Sequence, residues 1–98
     1  MQSSKLFPTA RAYELRLSVE QDVAQEAVRA DKRYGPFHST HEGLGVLLEE
    51  FDELRDAVRA NILPAIAREA IQIAAVALRL AEVCRRDEPE FRERSGAA

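Results

Sequence analysis

The stretch HEGLGVLLEEFDELRDAV, residues 41–58, decides the fold. Leu44, Leu47, Leu48, Phe51, Leu54 and Val58 recur at three-to-four spacing, which places them on one face of an α-helix. The helix has a legible start. Ser39-Thr40-His41-Glu42 reads S-x-x-E, a capping box in which the hydroxyl and the carboxylate each satisfy a free amide. It is expected to end near Asn61. Two further helical segments flank it. The first is expected from about Thr9, a plausible N-cap, to Lys32, with a weak stripe of Leu6, Ala10, Tyr13, Leu17, Ala24 and Val28 interrupted by Glu20. Gly35-Pro36 ends it, because glycine accepts left-handed dihedrals and proline cannot continue a helix. The third is expected from about Pro64, suited to a first turn, to Arg85, where Arg85 and Arg86 complement the helix dipole.

The third segment has a consequence for assembly. Between Ala70 and Cys84 only Gln72, Arg79 and Glu82 are polar. A helix apolar nearly all round needs cover on several sides, which two partners of this size provide poorly. The expected architecture is therefore all-α: an antiparallel bundle of three main helices, completed by self-association. Residues 1–8 read as an N-terminal arm, 9–85 as the helical domain, and 86–98 as a charged, frayed tail. Eight of the ten residues from Arg85 to Arg94 are charged.

Composition narrows the function classes. The chain has 98 residues, 46% hydrophobic and 32% charged, which is the profile of one small folded domain. Its net charge is −3, whereas a general nucleic-acid binder is expected to be basic. The single cysteine, Cys84, cannot form an internal disulfide or a zinc knuckle, and its apolar neighbours suggest a buried, inert thiol. No apolar run reaches the ~18 residues of a membrane span, and Met1 to Arg11 lacks an apolar signal core. A cytoplasmic protein without membrane or nucleic-acid-polymer partners is expected.

The acidity is concentrated. Glu49, Glu50, Asp52, Glu53 and Asp56 fall within eight residues of the second helix. At ~100° per residue, Glu49 and Asp56 point outward and Asp52 flanks the leucine stripe. Glu50 and Glu53 align with Val46 and Ala57, on a second face that mixes carboxylates with small apolar residues. A charge run on a helix is ordinarily a solvated face, and Glu69 alone reads equally as a first-turn acid. The combination points elsewhere. Glu69 and Gln72 are also three apart and sit among apolar residues, so antiparallel packing brings Glu50/Glu53 face to face with Glu69/Gln72. Three carboxylates and an amide oxygen then converge, a donor set suited to Mg²⁺, with Mn²⁺ as the alternative. Partial burial raises the repulsion among these acids, and a cation reverses its sign.

These residues carry a resemblance. Val23 to Cys84 resembles the MazG-like, all-α nucleoside triphosphate pyrophosphohydrolases, which bear E-x-x-E on one helix and E-x-x-D on the next. Here the motifs are Glu50-Phe51-Asp52-Glu53 and, after a gap of 15 residues, Glu69-Ala70-Ile71-Gln72. Lys32-Arg33-Tyr34-Gly35-Pro36 and His41-Glu42 are similar to the lead-in of some members. The resemblance implies a homodimer or homotetramer that cleaves a nucleoside triphosphate to monophosphate and pyrophosphate with Mg²⁺. It implies Glu50, Glu53 and Glu69 as metal ligands and catalytic acids, with Gln72 completing the ligand set. Gln72 departs from the family's aspartate. An amide oxygen can ligate Mg²⁺ but carries no charge and cannot act as a base. The alternative is a non-catalytic helical dimerisation or nucleotide-binding module of the same fold.

The remaining candidates are weaker. Lys32, Arg33 and Arg79 are candidate phosphate-binding cations, since a triphosphate needs positive partners. Lys32 and Arg33 read more readily as a solvated helix end, and Arg79 more readily as half of an ion pair with Glu53 or Glu20. His38 and His41 lack the further ligand of an H-E-x-x-H site, and His41 reads as a capping or packing residue. Tyr34 and Phe37 are expected in the core. Gly43 and Gly45 suggest close helix approach. No Gly-rich phosphate loop is present.

Overall fold

The computed structural model describes residues 9–88, which form three helices: α1 (Ala10–Tyr34), α2 (Thr40–Ala60) and α3 (Leu63–Asp87). There is no strand among the described residues. The arm at 1–8 and the tail from 89 onward lie outside them, while α3 continues two residues past its expected end.

Local chemistry explains each boundary. Thr9 Oγ1 accepts from the Ala12 N–H at 3.1 Å and starts α1. Gly35 stops it at φ 73°, a region that costs glycine little. Ser39 Oγ accepts from the Glu42 N–H at 3.1 Å and starts α2. The second half of the expected capping box is displaced. The Glu42 carboxylate takes the N–H of His38 at 3.0 Å rather than that of Ser39, and meets His38 Nδ1 at 3.2 Å. Asn61, left-handed at φ 57°, closes α2. Its N–H returns to Val58 O at 3.0 Å and that of Ile62 to Ala57 O at 3.5 Å, which satisfies two carbonyls of the last turn. Pro64 occupies the first turn of α3 as expected.

α3 is the element against which both others pack; α1 and α2 do not pack on each other. α2 and α3 form an antiparallel hairpin, in which Glu50 lies level with Glu69 and Gly43 with Leu80. Phe37, Val76 and Val83 are buried at the centre, with Val46, Leu47 and Leu80 against them. A Cβ on Gly43 would stand 2.8 Å from Leu80 Cδ1 and 3.2 Å from Phe37 Cδ2, so the absent side chain sets the helix separation. Gly45 has open space instead, and close approach does not explain it.

Several expected faces are rotated. On α2, the residues covered by α3 are Gly43, Val46, Leu47, Glu50, Leu54 and Ala57. Leu44, Leu48, Phe51 and Val58 are each about half exposed. The line Val46–Glu50–Ala57 belongs to the intrachain packing face together with Leu47 and Leu54, and the other four residues of the apolar stripe lie beside it. On α1 the covered positions are Val23, Glu26, Ala27 and Ala30, and residues 10–22 are all exposed. Tyr13, Leu17 and Val28, expected to pack, face outward. Tyr34 is 67% exposed, and only Phe37 of the two aromatics enters the core. Cys84 is exposed, not buried, because it falls on the outer side of α3. The Cα radius of gyration is 16.5 Å, against about 12 Å for a compact domain of this length.

Arg79 joins the three segments. Its side chain is 5% exposed. Nε donates to Asp31 Oδ1 at 2.8 Å and Nη2 to Gly35 O at 2.7 Å. The guanidinium lies 4.4 Å from the Phe37 ring centroid. The ion pair expected with Glu53 or Glu20 is thus made with Asp31. One buried cation ties the end of α1 and the following loop to α3.

Candidate carboxylate site and adjoining cavity

The hairpin register brings three expected ligands together. One carboxylate oxygen from each of Glu50, Glu53 and Glu69 lies within 4.8 Å of the others. That is well inside the ~10 Å width of a helix. The i, i+3 spacing puts Glu50 and Glu53 on adjacent turns of α2, and α3 presents Glu69 opposite. Glu50 and Glu69 are half-buried and Glu53 is exposed. The Oε2 atoms of Glu50 and Glu69 are both buried without a hydrogen-bond partner.

Such a group is strained when fully ionised. Burial, then the charges of Glu53 and Glu69, push the Glu50 carboxyl up to about 7. Burial first, then a hydrogen bond and charge from Glu53, raise Glu69 as well. Buried acceptors with no donor and three mutually repelling carboxylates are relieved either by a shared proton or by a cation. A hard divalent ion with an appetite for oxygen suits the donors.

Glu50 also lines a cavity of about 690 Å³ between α1 and α2, floored by α3. Gln72 lines the same cavity, as do Arg33 and Arg79. Lys32 is exposed and does not line it. Asp52 points away and pairs with Arg55 at 3.3 Å, so it does not stand in for the charge that Gln72 lacks. His38 is at the cavity wall, held by Glu42, whose own pKa is lowered first by the His38 N–H and then by the His38 ring. His41 is exposed.

Sequence reasoning missed two lining residues, Arg29 and Glu26, which pair with each other one turn before Arg33. The spacing Glu26–Arg29–Arg33 was a usable signal, since i, i+3 and i, i+7 positions share a face. The weak apolar stripe of α1 concealed which face turns inward.

Among the described residues no helix is long and apolar enough to cross a membrane. Comparison of the chain with protein-family models, curated proteins and solved structures finds no match, and none of them identifies a MazG-like family.

Proposed function

We propose that the protein is a Mg²⁺-dependent nucleoside triphosphate pyrophosphohydrolase that yields a nucleoside monophosphate and pyrophosphate, and that it acts as a homodimer or homotetramer. The observation that carries this is the convergence of Glu50, Glu53 and Glu69 within 4.8 Å, beside a cavity that Glu50 also lines. The cavity volume of about 690 Å³ lies within the range of small-molecule sites. The resemblance of both glutamate motifs to the MazG-like pattern supplies the reaction.

Glu50, Glu53 and Glu69 would hold the ion, with the Gln72 amide, which lines the cavity, as a further neutral ligand. Bound Mg²⁺ supplies neutralisation of phosphate charge and a more acidic water. One of the three carboxylates would accept the proton of the attacking water. Mn²⁺ satisfies the same donors.

Self-association is supported by the uncovered apolar residues Leu44, Leu48, Phe51 and Val58 on α2, each 48–56% exposed. Contiguous apolar surface of this kind marks an interaction face. The extended shape agrees with a chain that is one part of a larger bundle. One observation favours a second reading. Gln72 removes a negative charge from the motif, which suits a nucleotide-binding or dimerisation module without turnover.

The test is pyrophosphate release from a panel of ribo- and deoxynucleoside triphosphates, with Mg²⁺ and then Mn²⁺, using Glu50→Gln as the blank. Metal-dependent release that disappears in the variant is expected. Release from none of them overturns the hydrolase and leaves the module.

A further inference from the structure

The cavity has walls of opposite charge. Its α2 side carries Glu49 and Glu50, and its α1 side carries Arg29 and Arg33. Arg29 and Arg33 are four apart, so their side chains leave α1 on one face, one turn from each other. Neither reaches the buried Asp31–Arg79 contact. Arg33 lies 5.3 Å over the Tyr34 ring and makes no ion pair among the described residues. Arg79 faces the same space, but Asp31 and Gly35 occupy its Nε and Nη2 donors. Arg29 is 71% exposed and bonded to the carboxylate of Glu26, which is only 16% exposed. A carboxylate thus already sits on the cavity's arginine, as an anionic ligand does.

We propose that Arg29 and Arg33 are the phosphate-binding wall of this cavity, and that Glu26 is an internal anion that competes with the ligand for Arg29. The wall takes the part of a polyphosphate chain that lies beyond the carboxylate cluster. Guanidinium groups suit it because each presents paired donors to phosphate oxygens. The ligand class is a polyphosphate, which would meet Arg29 and Arg33 on α1 in the cavity that Glu50 lines from α2. This assignment deepens the hydrolase reading and rests on it for the identity of the nucleotide, but binding of the polyphosphate itself is measured separately.

Inorganic triphosphate with Mg²⁺ is the probe, titrated calorimetrically into the full chain. Arg29→Gln and Arg33→Gln are each expected to weaken binding about tenfold or more, the worth of a charge-assisted hydrogen bond. Glu26→Gln is expected to tighten it several-fold, a gain that a misfolded variant cannot produce. Arg16→Gln removes the same charge from the exposed half of α1 and is expected to change binding less than twofold. With an active enzyme, Arg29→Gln raises KM and lowers kcat little if the wall binds ground and transition states alike. Unchanged affinity in a normally helical Arg29→Gln overturns the proposal, as does weakened binding in Glu26→Gln or no triphosphate binding to the unaltered protein. Triphosphate binding that depends on Arg29, without pyrophosphate release from any nucleotide, refutes the hydrolase and leaves the wall standing. Pyrophosphate release that ignores Arg29 does the reverse.

Discussion

α2 has two faces about 100° apart, and they differ in what they carry. The face on α3 mixes the small residues Gly43, Val46 and Ala57 with Leu47, Leu54 and one carboxylate, Glu50. The neighbouring face has the large apolar residues Leu44, Leu48, Phe51 and Val58, and they are half exposed. The strongest hydrophobic stripe in the chain is thus divided: Leu47 and Leu54 help to fold the chain on itself, and the other four residues do not. Intrachain packing needs close approach, which Gly43 and Val46 permit, and it leaves room for Glu50 to meet Glu69. The large side chains are left for a second surface. Intrachain packing and the uncovered apolar residues proposed for self-association occupy adjacent faces of one helix, with the Glu50 carboxylate on the packed side.

The largest effect expected on the inner side is from Phe37→Ala. Phe37 is 6% exposed and packs on Gly43 and beside Arg79, so its loss is expected to cost about 3–5 kcal/mol in urea unfolding. A cost below ~1 kcal/mol would mean that the buried end is not the centre of the fold. Glu50→Gln is expected to lower turnover on the order of 100-fold, since it removes charge stabilisation of several kcal/mol. The same change relieves repulsion, so the metal-free protein should melt higher; activity loss together with a lower melting point would indicate damage rather than a missing ligand.

The outer face is tested by Phe51→Glu. Its chain-alone helicity by circular dichroism should persist, while light scattering after gel filtration should report a single chain. Persistence of the assembly would move the interface elsewhere. The two glycines sharpen the comparison at smaller scale. Gly45→Ala meets open space and should stabilise by about 1 kcal/mol through helix propensity. Gly43→Ala crowds Leu80 and Phe37 and should gain less or lose. Equal effects at both sites would erase the difference between the faces. A further test is the pH response. Glu50 is raised from 4.5 to about 7 in the fold, so its contribution is complete below 4.5 and is lost as pH rises through 7. The metal-free melting temperature should therefore fall across that window, and Mg²⁺ should reverse the fall at pH 8.

Much of this was legible in the residues. Thr9, Ser39, Asn61 and Pro64 marked the helix ends because caps are local chemistry, decided within one turn. The i, i+3 pairs Glu50/Glu53 and Glu69/Gln72 were readable as facing because the Asn61 turn forces the hairpin register. What could not be read was rotation. Hydrophobicity says which residues seek cover and not whose, so Leu48 and Phe51 were assigned to a core that Val46 and Glu50 line instead. The partner of Arg79 was hidden for the same reason: Asp31 is 48 residues away, and only the crossing of α1 on α3 selects it.

Glu50, Glu53 and Glu69 are proposed to form one cation site. Its most direct test is Mn²⁺ uptake, followed by the loss of the free-ion signal in electron paramagnetic resonance, for the unaltered protein and for Glu69→Gln. Saturable uptake by the former, abolished in the latter without loss of helicity, is the predicted result. Unaltered protein that leaves the free-ion signal unchanged, or equal uptake by Glu69→Gln, would contradict it.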